Sequence, residues 1–215
     1  MTIQQMPDET TFNCACGFGD LYREKRQYVK AVWWYRRAID QGHAGAQYRL
    51  GGLYETGKGV PQNDTEAVRL TRLAADRGDV EAQYYLGIMY QFGRCVERNS
   101  AESVPWYRRA AEQGHVWAQY RLAGAYAVGK SVERDLVRAC MWYTVVKMAD
   151  AGEMTSGSSR THLERITKKM SADQIAEAQR LAREWDEAHP RLPRFSFEPS
   201  RSSRYLFARS SSGAR

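Results

Sequence analysis

Small and apolar residues return along this chain in stripes of helical spacing, and the stripes themselves return every 36 positions. Ala46, Leu50 and Tyr54 stand at i, i+4 and i+8, one face of an α-helix. Ala82, Leu86 and Tyr90 repeat that face, and Ala118, Leu122 and Tyr126 repeat it again. A second stripe lies between them: Ala67, Leu70 and Ala74, then Ser103, Trp106 and Ala110, then Ala139, Trp142 and Val146. Self-similarity at a fixed period of this size marks a stack of supersecondary units, each unable to bury both of its faces alone.

The positions between the stripes carry the punctuation that separates two helices per unit. Gly57, Gly93 and Gly129 stand where the first helix must stop, and Gly78 and Gly114 where the second does. Asn63 with Glu66, and Asn99 with Glu102, have the spacing of a capping box, and Asp135 that of an N-cap. The recurring alanines let neighbouring helices approach closely, and large partners such as Leu50 and Trp106 fill the space between turns, each contributing roughly 1.5–3 kcal/mol by burial. Pro105 falls inside a second helix, which must either start late or kink there.

The pattern extends both ways. Ala31 to His43 matches a second helix, with its first helix expected over about Phe12 to Tyr22 and a loop four residues shorter. Downstream, helices are expected over about Ser159–Met170 and Ala172–Ala188, the latter opened by a capping box of Ser171 and Gln174. The expected organisation is a flexible start over 1–11 and a repeat array over 12–153, made of a partial repeat at 12–43 and repeats at 44–79, 80–115 and 116–153. Capping helices over 154–190 and a disordered basic tail over 191–215 follow.

Ala-x-x-x-Leu-Gly-x-x-Tyr-x-x-Gly-x-Gly-Val, read from Ala46, and Trp106-Tyr-Arg-Arg-Ala-Ala-Glu-Gln-Gly-His115 together resemble the Sel-one-like repeat, a longer-loop relative of the tetratricopeptide repeat. The resemblance covers about residues 12–153. It implies an all-α, right-handed solenoid of antiparallel helix pairs and a scaffold or adaptor role in protein complexes. This chain departs from the pattern at Cys95 and Ser131, which replace a loop glycine, and at Leu70, which stands where Trp34, Trp106 and Trp142 stand elsewhere. Some bacterial relatives staple each helix pair with a disulfide, and such disulfide-rich relatives have been assigned β-lactamase-like activity; the resemblance therefore implies a hydrolase as the alternative reading. Cys14, Cys16, Cys95 and Cys140 lack that regular placement.

Charge and chemistry change this picture little. Net charge is +7, but six arginines against one glutamate after Pro190 supply most of it, so the body of the chain is not marked as nucleic-acid-binding. No apolar run approaches the ~20 residues of a membrane span, and the start has neither a basic nor an apolar segment of a signal peptide, which makes the cytoplasm the expected compartment, with a specialised export route for an effector as the alternative. No CxxC, HExxH or glycine-rich phosphate loop is present, so neither a catalytic site, a metal nor a cofactor is expected. Cys14 and Cys16, if helical, point about 200° apart and make a poor metal pair. His43 and His115 share one repeat phase with Asp79, which suits turn or N-cap chemistry between helices.

A protein or peptide partner is the expected ligand. By analogy with tetratricopeptide geometry the first helices line the concave surface, where Tyr48, Tyr84 and Tyr120 form a ladder, with Ile88, Phe92 and Trp117 beside it. Tyr and Trp are common interface anchors, and Ile88, Phe92 and Trp117 do not recur, so the repeat itself does not require them. The tyrosines admit a second reading, as fillers between neighbouring helices. Arg36, Arg37, Arg108 and Arg109 read as a solvated outer face paired with nearby acids. The tail, with seven serines and four aromatics among its arginines, is expected to be disordered, either a solubilising segment or one suited to docking on an acidic protein groove, an anionic membrane surface or RNA.

Overall fold

The computed structural model describes residues 15–129, 131–149 and 153–189. Among these, the chain is all-α, with ten helices in sequence: α1 (Ala15–Glu24), α2 (Tyr28–Asp40), α3 (Ala44–Thr56), α4 (Asp64–Asp76), α5 (Val80–Phe92), α6 (Ser100–Glu112), α7 (Val116–Val128), α8 (Leu136–Met148), α9 (Glu153–Thr167) and α10 (Ala172–Ala188). The segments expected to form a flexible start and a basic tail lie outside the described residues, as does Cys14. Cys16, Cys95 and Cys140 are free thiols.

From α1 to α9 each helix packs against its neighbours in sequence, and first helices also touch across units, α3 with α5 and α7 with α9. Small side chains set the spacing. Ala46, Ala67, Ala74, Ala82, Ala110, Ala118 and Ala139 are fully buried. Two glycines allow a closer approach still: a Cβ on Gly19 would lie 2.3 Å from the Tyr35 ring, and one on Gly87 would lie 2.6 Å from that of Tyr107. The recurring glutamines are buried in all three units, and two of them staple one unit to the next. Gln83 Nε2 donates to the Ala75 carbonyl and Gln119 Nε2 to the Ala111 carbonyl, both at 3.1 Å.

Helix ends follow the local chemistry, with differences. Asn63, Asn99 and Asp135 each accept a backbone N–H in the first turn. The reciprocal half of a capping box is made only at Ser171 and Gln174 among the described caps; Glu66 turns instead to Arg69, at 2.7 Å, because a charged partner outbids a backbone amide. Asp79 and His115 cap α5 and α7, while His43 makes no side-chain cap. α6 starts before Pro105 and continues past it: the carbonyl that loses its bond belongs to exposed Ala101 and can be met by water.

The C-terminal helices depart from the expected pattern in two ways. α9 begins at Glu153, six residues before the expected start. It also takes the place of a first helix, packing on α8 and α7, whereas α10 packs on α8 rather than completing a pair with α9. Ala178, Ala182 and Trp185 form the face that meets α8, with Trp185 edge-on to Trp142 at 5.6 Å.

Candidate functional site

The surface made by α3, α5 and α7 holds the residues singled out in the sequence, and the structure sorts them. Tyr48, Tyr84 and Tyr120 are half-buried, and each lies against a ring of a neighbouring helix: Tyr48 on Tyr85 at 5.5 Å, Tyr84 on Tyr107 at 5.9 Å, Tyr120 on Tyr143 at 5.6 Å. His115 stacks on Tyr84 at 4.3 Å, and His162 stands edge-on to Tyr120 at 5.8 Å. Burial pushes the hydroxyls of Tyr48 and Tyr84 upward in pKa, so both stay neutral donors at physiological pH. The ladder thus cements neighbouring helices while leaving part of each ring on the surface.

The non-recurring residues divide differently. Ile88 is 6% exposed and its side chain packs into the core cluster, so it offers no open surface. Phe92 is 50% exposed at the end of α5, with the Arg121 guanidinium 5.5 Å from its ring centre. Val128, in the same phase one unit on, is 66% exposed. Trp117 is half-buried in the first turn of α7. Gly52, on the same surface of α3, has open space where a side chain would stand. The result is a shallow aromatic face, with Phe92 and Val128 open at one end and Trp117 at the other.

Ionic locks run along this face and escape a reading of the stripes alone. Asp20 accepts from the Tyr35 hydroxyl at 2.7 Å and from Arg49 at 3.0 Å, tying α1, α2 and α3 together. Glu55 accepts from the Tyr85 hydroxyl and from Arg94, both at 2.5 Å, tying α3 to α5 and the loop beyond it. Glu81 pairs with His115 at 3.4 Å; partial desolvation alone would raise its pKa, but the hydrogen bond from His115 Nε2, with help from the Arg49 charge, holds it below the ordinary range.

On the opposite helices, Arg36 donates to the Tyr54 hydroxyl at 3.1 Å, Arg108 to that of Tyr126 at 3.0 Å, and Arg72 to that of Tyr90. Arg37 and Arg109 lie over Trp33 and Trp106, and Arg109 also reaches Asp76 at 3.8 Å. Arg36, Arg72 and Arg108 therefore bond tyrosine hydroxyls, and Arg109 both a ring and an acid. The 36-residue recurrence of Arg36, Arg72 and Arg108, each 18 positions before a recurring tyrosine, was the sequence signal for it. Among the described residues no group of three His, Cys, Asp or Glu is placed to hold a metal ion, and no helix is long and apolar enough to cross a membrane.

The Sel1 repeat model matches residues 12–43, 44–79, 80–115 and 118–144. The chain belongs to the Sel1 repeat family. Its fold is similar to the crystal structure of a Sel1 repeat protein from Oxalobacter formigenes, with a TM-score of 0.63 and 28% identity over 81% of this chain and 73% of that one. It is also similar to c5321, a protective antigen present in uropathogenic Escherichia coli strains that displays an SLR fold, with a TM-score of 0.54 and 24% identity over 95% of this chain; it spans 50% of that one. A comparison with curated proteins finds no match. The four Sel1 repeats comprise α1 to α8, so both the tyrosine ladder and the exposed Phe92 lie within them.

Proposed function

We propose that the chain is a non-catalytic scaffold or adaptor whose α3–α5–α7 surface binds a peptide or helix of a partner protein. The observation that carries this reading is Phe92, a large apolar side chain left half-exposed within a face of half-buried tyrosines. An exposed phenylalanine costs solubility and contributes little to the fold, and its repeat equivalents, Thr56 and Val128, show that the repeat does not demand an aromatic there. Arg121 over the ring gives the site a cation beside an apolar anchor, a pairing common at interface hot spots. The ionic locks at Asp20, Glu55 and Glu81 keep the helices that present the face in register, so the ordering cost on binding falls mainly on the partner. Sel1 repeats typically mediate protein interactions, which agrees with this reading. The test is affinity capture with the full chain and with Phe92→Ala/Trp117→Ala, followed by mass spectrometry. A partner retained by the first and lost by the second supports the assignment once its purified form shows the same difference; partners shared equally by both would remove it.

A further inference from the structure

Two clefts open side by side where the α7–α8 loop meets the C-terminal helices. The larger, of about 680 Å³, lies among α6, the start of α8 and the start of α10, with Arg108, Arg134, Arg138 and Lys169 on its walls. The smaller, of about 250 Å³, lies between the ends of α7 and α9, with Arg134, Arg165 and Lys169 on its walls. Both share Leu136. Two carboxylates face this edge, Glu133 and Asp135. Asp135 is already committed, because it caps α8 and pairs with Arg138 at 3.4 Å. Among the described residues, no carboxylate stands within ion-pairing distance of Arg134, Arg165 or Lys169, and all three are exposed.

The repeat does not require this charge. The position of Arg138 is held by Glu66 and Glu102 in the two preceding units, and that of Arg134 by Gln62 and Arg98. The third unit reverses the sign of that first-turn acid at the place where Arg165 and Lys169 arrive from α9. Gathering like charges raises the energy of the fold, so helix packing gives no reason for it, whereas a negative occupant does. Two of the cations are held in place beforehand: Arg108 by its bond to the Tyr126 hydroxyl, and Arg138 with its guanidinium 5.6 Å from the centre of the same ring. Val132, Leu136 and Val137 supply apolar wall between the charges.

We infer that this edge cleft binds an acidic peptide segment of a partner protein, with its carboxylates toward Arg134, Arg138, Arg165 and Lys169 and an apolar side chain against Leu136. A nucleic-acid backbone fits less well, since it calls for cations along a continuous line of phosphates, and Glu133 and the valines interrupt that line. The site is separate from the α3–α5–α7 face: its cations come from α6, the α7–α8 connection, the start of α8, and α9 with the turn after it, and the two surfaces meet at Val128.

The test is fluorescence anisotropy of the full chain with a fluorescein-labelled Glu-Asp-Leu-Glu-Asp-Ile-Glu-Asp peptide at physiological salt. The comparison proteins are Arg134→Glu/Lys169→Glu, Arg138→Gln/Arg165→Gln and Phe92→Ala, each checked for an unchanged helical spectrum. The tail arginines are present in every protein and cancel in the comparison. The charge reversal is expected to weaken binding by about ten-fold or more, the neutralised pair to weaken it less, and Phe92→Ala to leave it unchanged. Equal affinity of the wild type and both cleft variants would overturn the inference. So would a loss with Phe92→Ala as large as with the reversal, which would move the peptide to the concave face. Tighter binding of an oligothymidylate of equal charge would overturn it in favour of nucleic acid.

Discussion

Tyr85 donates its hydroxyl proton to Glu55 across 2.5 Å, and in doing so fills a place that Thr71 leaves vacant. Second helices carry a tyrosine at this phase in Tyr35, Tyr107 and Tyr143, but Thr71 in α4. First helices carry Arg49 and Arg121 at the phase where α5 has Tyr85. The ring missing from α4 enters from α5 instead, so Tyr48 finds Tyr85 where Tyr84 finds Tyr107. Tyr85→Phe should cost about 1 kcal/mol, since Glu55 keeps Arg94, and Tyr85→Ala about 3–5 kcal/mol, both measured by urea unfolding. Thr71→Tyr/Tyr85→Arg, which rebuilds the arrangement of the other units, should recover most of the loss that Tyr85→Arg alone produces. No recovery would mean that the two positions do not exchange a ring.

Helix spacing rests on glycine at one position and not at another. Gly87→Ala forces a Cβ to within 2.6 Å of the Tyr107 ring and should destabilise by about 1–3 kcal/mol. Gly52→Ala meets open space in a helix interior and should stabilise by about 0.5–1 kcal/mol. Thermal melts of the two variants should therefore move in opposite directions.

The period of 36, the alanines and the end glycines made the helices legible, because each is a local or strictly recurring requirement of stacked pairs. The placement of α10 was not legible: its Ala178, Ala182 and Trp185 stripe says that one face is buried, but not whether α9 or α8 buries it. The burial of Ile88 was not legible for a related reason. Its phase is shared with Gly52 and Gly124, and an absent side chain in those units gives no sign of which way an isoleucine there will point. Phe92 was legible because a helix end beside a recurring glycine leaves a large residue little to pack against.

Cys95 should be a poor nucleophile at neutral pH. Burial, followed by the nearby carboxylates of Glu55 and Asp64, pushes its thiol up to about 12, despite Arg94. A thiol raised this far contributes stability that is complete below its unfolded pKa of about 8.5 and is lost as pH rises toward the folded value. Iodoacetamide should label Cys95 far more slowly than an unfolded-chain cysteine at pH 8, and Asp64→Asn should speed that labelling. Equal rates for the wild type and the variant would show that the carboxylate does not restrain the thiol.

Glu81 should contribute to acid sensitivity. Its folded pKa is depressed, burial being outweighed by His115 and Arg49, so its contribution to stability is present above the unfolded carboxylate pKa of about 4.3 and is lost as pH falls through the folded value. The stability gap between the wild type and Glu81→Gln should be open near pH 6 and should narrow as pH falls below the unfolded carboxylate pKa of about 4.3, as read by chemical denaturation across that range.

On the binding face proposed for α3, α5 and α7, Phe92 and Trp117 are the anchors. The most direct measurement is titration calorimetry of a captured partner against the wild type, Phe92→Ala and Trp117→Ala, with each variant's melting curve recorded alongside. Each truncation should cost about 2 kcal/mol or more of binding free energy with the melting curve little changed. Full affinity in both variants, or a loss of affinity matched by unfolding, would contradict it.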